Sequence, residues 1–320
     1  MKKTLLIGEP MALLIADKIG ELKDIDKFTR KISGAEVNVS VGLSRLGHKT
    51  VYLTKLGNDP FGHYIHDFLK KEYIDTKYIS FDNTYKTGIQ LKNKVIEGNP
   101  QVPYYRKFSA SSFISTVDIE KINLNEIGYL HLTGIFPAIS STCLEATYKI
   151  IELAKKRNIF ISFDPNLRME LYSNKKQMIE LVNDISKYSD LILPGIEEAN
   201  ILTNQKTEKE ICDFYTNMGI KNIVIKIGEK GAYVRENKTD YIVEGFSVNN
   251  VVDTVGAGDG FAVGIISGIL EKLNFKEAVK RANAIGAIQI MNESDNEGLP
   301  TRSKLNDFLK SKITSENINE

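Results

Sequence analysis

The residues from Val251 to Gly264 are VVDTVGAGDGFAVG. Three small residues, Gly256, Ala257 and Gly258, stand between Thr254 and Asp259. Beyond Asp259, the apolar residues Phe261, Ala262, Ile265, Ile266 and Ile269 recur at helical spacing. The preceding run FSVNNVV, residues 246–252, reads as a strand. Gly256 to Asp259 is therefore expected where a strand gives way to a helix. Residues without bulk let the backbone come close to a ligand. The first N–H groups of the helix have no partners within it and form a site for an anion. A carboxylate there repels a phosphate unless it has a task of its own. The natural task is to take the proton of a hydroxyl that attacks phosphorus. The plain alternative is a glycine turn with Asp259 as N-cap.

Outward from this junction the chain alternates strand and helix. Strands are expected at Thr4–Gly8, Thr50–Leu56, Tyr78–Ser80, Tyr129–Leu132, Phe160–Phe163, Leu191–Leu193 and Asn222–Ile227, with a hairpin over Ala232–Val243. Helices are expected from Ser33-Gly34 to Gly47, and over Phe61–Lys71, Cys143–Arg157, Lys175–Ile185, Glu198–Leu202, Phe275–Met291 and Ser303–Leu309. The tail from Ile313 is polar and expected to fray. This rhythm predicts an α/β fold: a doubly wound, mainly parallel sheet flanked by helices. Ligands of such sheets bind beyond the carboxyl ends of the strands, where Gly34, Asp164, Gly228 and Asp259 fall. Two stretches stand outside the rhythm. Residues 13–32 read as an edge hairpin. Lys86–Lys92 and Val102–Lys107 alternate polar with apolar around the turn residues Glu97-Gly98-Asn99-Pro100. Together, 13–32 and 85–111 predict a small β-sheet apart from a core made of 1–12, 33–84 and 112–320. Such a sheet is either a lid over a ligand site or an interface for dimerisation, and the two are compatible.

The chain has 320 residues, enough for one large core with an appendage. Its 42 basic and 41 acidic residues leave a formal charge of +1, which makes no case for a nucleic-acid or acidic-surface partner. Cys143 and Cys212 form no ligand cluster and are expected reduced. His63 and His66 are three apart and read as a helix surface pair, a metal site being the less expected reading. Glu9 and Pro10 interrupt the first apolar run, so it reads as a buried strand rather than a leader. No apolar run is long enough to span a bilayer, and a soluble cytoplasmic protein is expected. There is no GxxxxGK[ST] sequence and no protein-kinase HRD or DFG.

DTVGAGDGFAVG resembles the C-terminal signature of the ribokinase-like (PfkB) carbohydrate kinases. Gly34-Ala35-Glu36-Val37-Asn38, with Gly42 and Leu46-Gly47, resembles that family's N-terminal signature. Two separated motifs in the right order are far more specific than one glycine-rich turn. The resemblance implies a ribokinase-like fold with a β lid, ATP and Mg²⁺ as cofactors, and Asp259 as catalytic base beside the Gly256-Ala257-Gly258 anion hole. A homo-oligomer is also expected. Lys226-x-Gly228-x-x-Gly231 resembles the loop beneath the nucleotide. Asn283 matches a position near the adenine, or is a helix-face amide. Asn166, Arg168, Gly256 and Gly258 complete the nucleotide side. Glu198 matches the Glu of an Asn-x-x-Glu motif that bears on magnesium through water, with Gly195 where Asn is usual. Asp253 and Thr254 match positions that adjoin a monovalent cation in many members.

Within the family, the 34–38, 104–107, 131–135, 164–168 and 295–300 segments are similar to the 2-keto-3-deoxygluconate kinases. That likeness implies Gly34, Asn38, Gln90, Tyr104, Arg106, Arg168, Asp259 and Asp295 on the substrate side; some relatives carry Tyr where Gln90 stands. Two arginines aimed at one pocket suit a sugar acid, whose carboxylate a guanidinium grips in a fork. The alternatives are that each pairs with a protein carboxylate, or that Arg168 meets nucleotide phosphate. The expected partners are thus a small-molecule sugar acid and a nucleotide. The rivals are a neutral-sugar kinase of the same family and a non-catalytic sugar sensor on this fold.

Overall fold

Leu5 and Ile7 project to one side of the first strand and Leu6 to the other, and all three are fully buried. A strand apolar on both faces belongs inside a sheet covered on both sides. The computed structural model describes residues 2–96, 100–248, 251–293 and 295–318. In chain order its strands are β1 (Lys3–Ile7), β2 (Met11–Ile19), β3 (Phe28–Ser33), β4 (Thr50–Gly57), β5 (Asp75–Asp82), β6 (Ile89–Lys94), β7 (Tyr104–Tyr105), β8 (Ile127–Thr133), β9 (Phe160–Asp164), β10 (Leu191–Ile192), β11 (Asn222–Lys226), β12 (Ala232–Glu236) and β13 (Thr239–Val243). Among the described residues, nine strands form the main sheet in the order β13-β12-β11-β10-β9-β8-β1-β4-β5. Pairing is parallel from β5 through β11; β12 and β13 add an antiparallel edge. Leu5, Ile7, Leu130, Leu132 and Phe163 pack on one face with the helices Ser141–Lys156 and Lys175–Ser186. Leu6, Tyr52, Tyr129 and Val224 pack on the other with Ala35–Arg45, Ala257–Leu270 and Phe275–Gln289.

The chain leaves β1 for the small sheet, returns as β4 and β5, and then crosses β1 to resume at β8. The strand order therefore reverses around β1, and the carboxyl ends of β1, β9 and β11 open on one crevice. The helices Ala35–Arg45 and Ala257–Leu270 meet closely over that crevice. A Cβ on Gly42 would lie 2.5 Å from Val263 Cγ2, so only glycine allows this approach.

The small sheet has the order β3-β2-β6-β7, with β2 and β6 parallel and the other pairs antiparallel. It is made from the two stretches that broke the α/β rhythm, with β2 starting at Met11. The expected turn at Glu97-Gly98-Asn99 lies outside the described residues. Helix Arg302–Ile318 extends past Leu309, the end expected from the sequence. The strand expected at 246–252 is also absent: 244–248 and 251–254 pair with no ladder, and Asn249 and Asn250 lie outside the described residues. The reason is a contact from the helix Phe275–Gln289. Asn283 Nδ2 donates to the carbonyls of Val243 (3.0 Å) and Glu244 (2.9 Å), which turns the chain over the helix Phe275–Gln289. The apolar side chains of this stretch line a cavity instead of a sheet. No helix among the described residues is long and apolar enough to cross a membrane.

Candidate active site

The helix Ala257–Leu270 has Gly256 as N-cap, so Asp259 is its third residue and not its cap. Gly256 has φ +79°, and a Cβ there would meet the Asp295 carbonyl oxygen at 2.4 Å. That close backbone contact leaves the first N–H groups of the helix facing the crevice. Asp259 is 8% exposed. Its Oδ2 accepts from Asn38 Nδ2 at 2.7 Å and its Oδ1 from Asn166 Nδ2 at 3.3 Å. Asn38 is held in turn: its Oδ1 accepts from Asn296 Nδ2 at 3.2 Å. Burial pushes the Asp259 pKa up to about 7; the Asn38 hydrogen bond pulls against this, nearby Asp164 adds to it, and Arg168 and Lys226 oppose it. A carboxylate so tuned can exchange a proton near neutrality.

Two cavities meet at this helix start. One, of about 330 Å³, is lined by Gly34, Asn38, Gln90, Tyr104, Arg106 and Asp295 on the small-sheet side, and by Asn166, Arg168, Glu198, Lys226, Gly256 and Gly258 on the other. The second, of about 440 Å³, is bounded by Gly228, Gly231, Phe246, Phe261, Asn283 and Gly286. Lys226, Thr254 and Gly258 border both. The sequence-derived site residues are thus gathered at one crevice, Asp253 being the exception.

Several of them are engaged in ways the sequence does not disclose. Arg106 does not wait unpaired. Its Nε donates to Glu9 Oε2 at 2.8 Å, and its Nη2 lies 2.5 Å from the same oxygen without hydrogen-bond geometry. Glu9 follows β1 and is buried, so the pair is the protein-carboxylate alternative for this arginine. Arg168 differs: it is half-buried, Nη1 donates to the Leu167 carbonyl at 2.9 Å, and it has no carboxylate partner among the described residues. Asn283 is no solvent-facing amide; it pins the loop that walls the second cavity. Gln90 Oε1 accepts from Ser33 Oγ. Glu198 spends both oxygens on backbone, accepting from Leu167 N at 2.7 Å and Gly195 N at 2.8 Å.

Asp164, Glu36 and Glu9 also line the site, although the sequence assigns them no role in it. Asp164 Oδ2 pairs with Lys226 Nζ at 2.8 Å. Burial disfavours the Lys226 ammonium, but Asp164, Glu198 and Asp259 outweigh it and keep its pKa above the ordinary value. Glu36 is buried with its pKa raised by burial, and accepts from Thr133 Oγ1. Two buried carboxylate oxygens have no hydrogen-bond partner among the described residues: Glu9 Oε1 and Asp295 Oδ1. Both residues line the first cavity, and an orphaned buried acceptor calls for a donor from a ligand or water. Burial raises the Asp295 pKa to about 6, with Lys92 opposing.

The donor set fits Mg²⁺ held through water and phosphate. No three of the described His, Cys, Asp and Glu residues converge as a metal cage, and Mg²⁺ keeps several waters by preference. A monovalent cation at Asp253 does not fit. Asp253 Oδ2 is already paired with the Lys92 ammonium, and its Oδ1 accepts from Val255 N at 3.1 Å.

Residues 1–302 match the pattern of the pfkB family carbohydrate kinases. The chain is 44% identical over 308 residues to a 2-dehydro-3-deoxygluconokinase of Bacillus subtilis, covering 96% of this chain and 95% of that one. A PfkB protein from Polaromonas superposes with TM-score 0.89 and 41% identity, over 96% of this chain and 99% of its own. A fructokinase double mutant from Vibrio cholerae, solved with fructose, ADP and a potassium ion, superposes with TM-score 0.85 and 26% identity, over 97% and 98%.

Proposed function

This chain belongs to the pfkB family of carbohydrate kinases, and from that premise we propose that it transfers the γ-phosphoryl group of ATP to the terminal hydroxyl of 2-keto-3-deoxy-D-gluconate. The observation that carries this is Asp259: a buried carboxylate, oriented by Asn38 and Asn166, at a helix start where two cavities meet. The sugar acid occupies the smaller cavity. Its hydroxyls donate to Glu9 Oε1 and Asp295 Oδ1, the two buried carboxylate oxygens without partners among the described residues. Arg168, which forms no ion pair with a carboxylate among the described residues, binds its carboxylate in a fork. Arg106, braced by Glu9, lines the same wall beside Tyr104 and Gln90. The nucleotide base lies in the larger cavity between Gly231 and Gly286, within the loop that Asn283 pins, and its phosphates reach toward Lys226 and Gly258.

Asp259 takes the proton of the terminal hydroxyl as that oxygen attacks the γ-phosphorus. The new O–P bond forms as the bond to the β-phosphate oxygen breaks, and ADP leaves with the electron pair. N–H groups at the start of the Ala257–Leu270 helix and the Lys226 ammonium face the charge that develops. Glu198 and Asp164 would hold Mg²⁺ through its water shell, and the metal would supply charge neutralisation on the phosphates. The small sheet acts as a lid that keeps water from the phosphoryl group.

The ³¹P spectrum of the product tests the assignment. Phosphate on the terminal CH₂OH couples to two protons and gives a triplet. A doublet would place phosphate on a secondary hydroxyl. Inorganic phosphate alone would mean the sugar acid is not an acceptor.

A further inference from the structure

Lys92 sits within β6, opposite Ile15 of β2, and its side chain is 8% exposed. A lysine drawn that far into a protein needs a counter-charge. Its partner is Asp253 Oδ2, 161 residues away in the loop that feeds the anion hole. That loop is anchored by Val252 N and Asp253 N, which donate to the Ile290 carbonyl at 2.8 and 3.2 Å, and by the turn Asp253 Oδ1 makes with Val255 N. Three residues after Asp253 comes Gly256, seated against the Asp295 backbone. Asp295 lies close enough for its carboxyl to feel both Lys92 and Asp253. The ammonium is therefore the positive centre of a cluster with two acidic side chains, and it is covalently part of the small sheet. Two more lysines of that sheet, Lys94 and Lys31, reach Glu293 and Glu297 of the neighbouring segment, but these pairs are exposed and contribute little.

We infer that the Lys92 ammonium serves in place of a bound monovalent cation at Asp253, neutralising the buried carboxylate and fixing the loop 251–256 from the lid side. A lysine ammonium is a compact single positive charge, of the kind such a position takes. Lys92 is a positioning residue: it touches no reacting atom, and acts through the loop that sets the anion hole. The consequence is an enzyme whose rate and stability do not depend on potassium. The rate arm of the test rests on the kinase function proposed above; the melting arm does not.

The test compares the protein in potassium and in tetramethylammonium chloride at equal ionic strength, reading both the melting temperature and the kinetics with ATP. Wild type should melt at the same temperature in both salts and change kcat by less than about twofold. Lys92→Met should lose about tenfold or more in kcat in tetramethylammonium, with KM for the sugar acid little changed, because the misplaced loop acts on the transition state. Potassium should then restore rate and raise the melting temperature in a saturable way, as a ligand of the folded state does. Lys92→Met combined with Asp253→Asn carries no unpaired charge and should show no potassium response. Three outcomes overturn the inference: a wild type that slows severalfold and melts earlier without potassium; a Lys92→Met protein indistinguishable from wild type; or a loss that potassium restores in neither rate nor melting. Should Lys92→Met fail to fold, the wild-type comparison and the double variant still decide.

Discussion

Asp259→Asn lowers turnover by at least about 10²-fold, the usual scale for loss of a general base, while nucleotide binding stays close to normal. The substitution keeps the shape and keeps an oxygen to accept from Asn38, so the crevice persists while proton acceptance is lost. The pH dependence carries the same signature. Burial sets the Asp259 pKa at about 7, so wild-type kcat/KM should fall with acid below that point, about tenfold per unit at the limit. The residual rate of the variant should lack this limb. Stability should move the opposite way. A carboxyl whose pKa is raised on folding stabilises the fold at acid pH, and that contribution is lost as pH rises from the unfolded value of 3.8 through about 7. Asp259→Asn should therefore gain in melting temperature over that window and hold the gain above it. Near-normal turnover, or an unchanged acid limb, would remove Asp259 from the role of base.

Arg168→Ala should lower kcat/KM for 2-keto-3-deoxygluconate by about 10- to 100-fold, with a much smaller loss on any neutral sugar still accepted. The estimate follows from a charge-assisted hydrogen bond at roughly 1.5–3 kcal/mol and about 1.4 kcal/mol per factor of ten. Arg168 suits this test better than Arg106. Removing Arg106 strips the partner from a buried Glu9 carboxylate and destabilises the protein whether or not substrate is bound. Arg168 ion-pairs with no carboxylate among the described residues, though its charge does lower the Asp259 and Asp295 pKa values. Its side chain also faces the phosphate side of the crevice, so the KM for ATP should be followed in parallel. Equal losses on acid and neutral sugar, with a raised KM for ATP, would assign Arg168 to the nucleotide.

The parts of this arrangement that local chemistry dictates were legible in the chain. Gly256 to Asp259 lies at a helix start because small residues and a following helical apolar period permit little else. Leu5-Leu6-Ile7 reads as a strand buried on both faces and is one. The strand expected at 246–252 misled, because apolar alternation is equally what a cavity wall requires, and only the distant Asn283 settles which is formed. The charge partnerships were not legible. Arg106 with Glu9 spans 97 residues and Lys92 with Asp253 spans 161. Nothing in either neighbourhood announces them, since a lysine in an alternating strand looks like a solvated face until the partner loop is in place. Asp164 and Asn296 fall in segments the sequence singles out, but their partners are not legible there. Each matters through what it orients, Lys226 in one case and Asn38 in the other.

The most direct measurement is kcat/KM of the unmodified protein, with ATP and Mg²⁺, on 2-keto-3-deoxygluconate beside fructose and ribose in one coupled assay. Arg168, without an ion-pair partner among the described residues, disfavours neutral sugars that bring no acid to meet it, so the sugar acid should be preferred by about 10-fold or more. A protein that prefers fructose or ribose would contradict the sugar-acid assignment and leave a neutral-sugar kinase in its place.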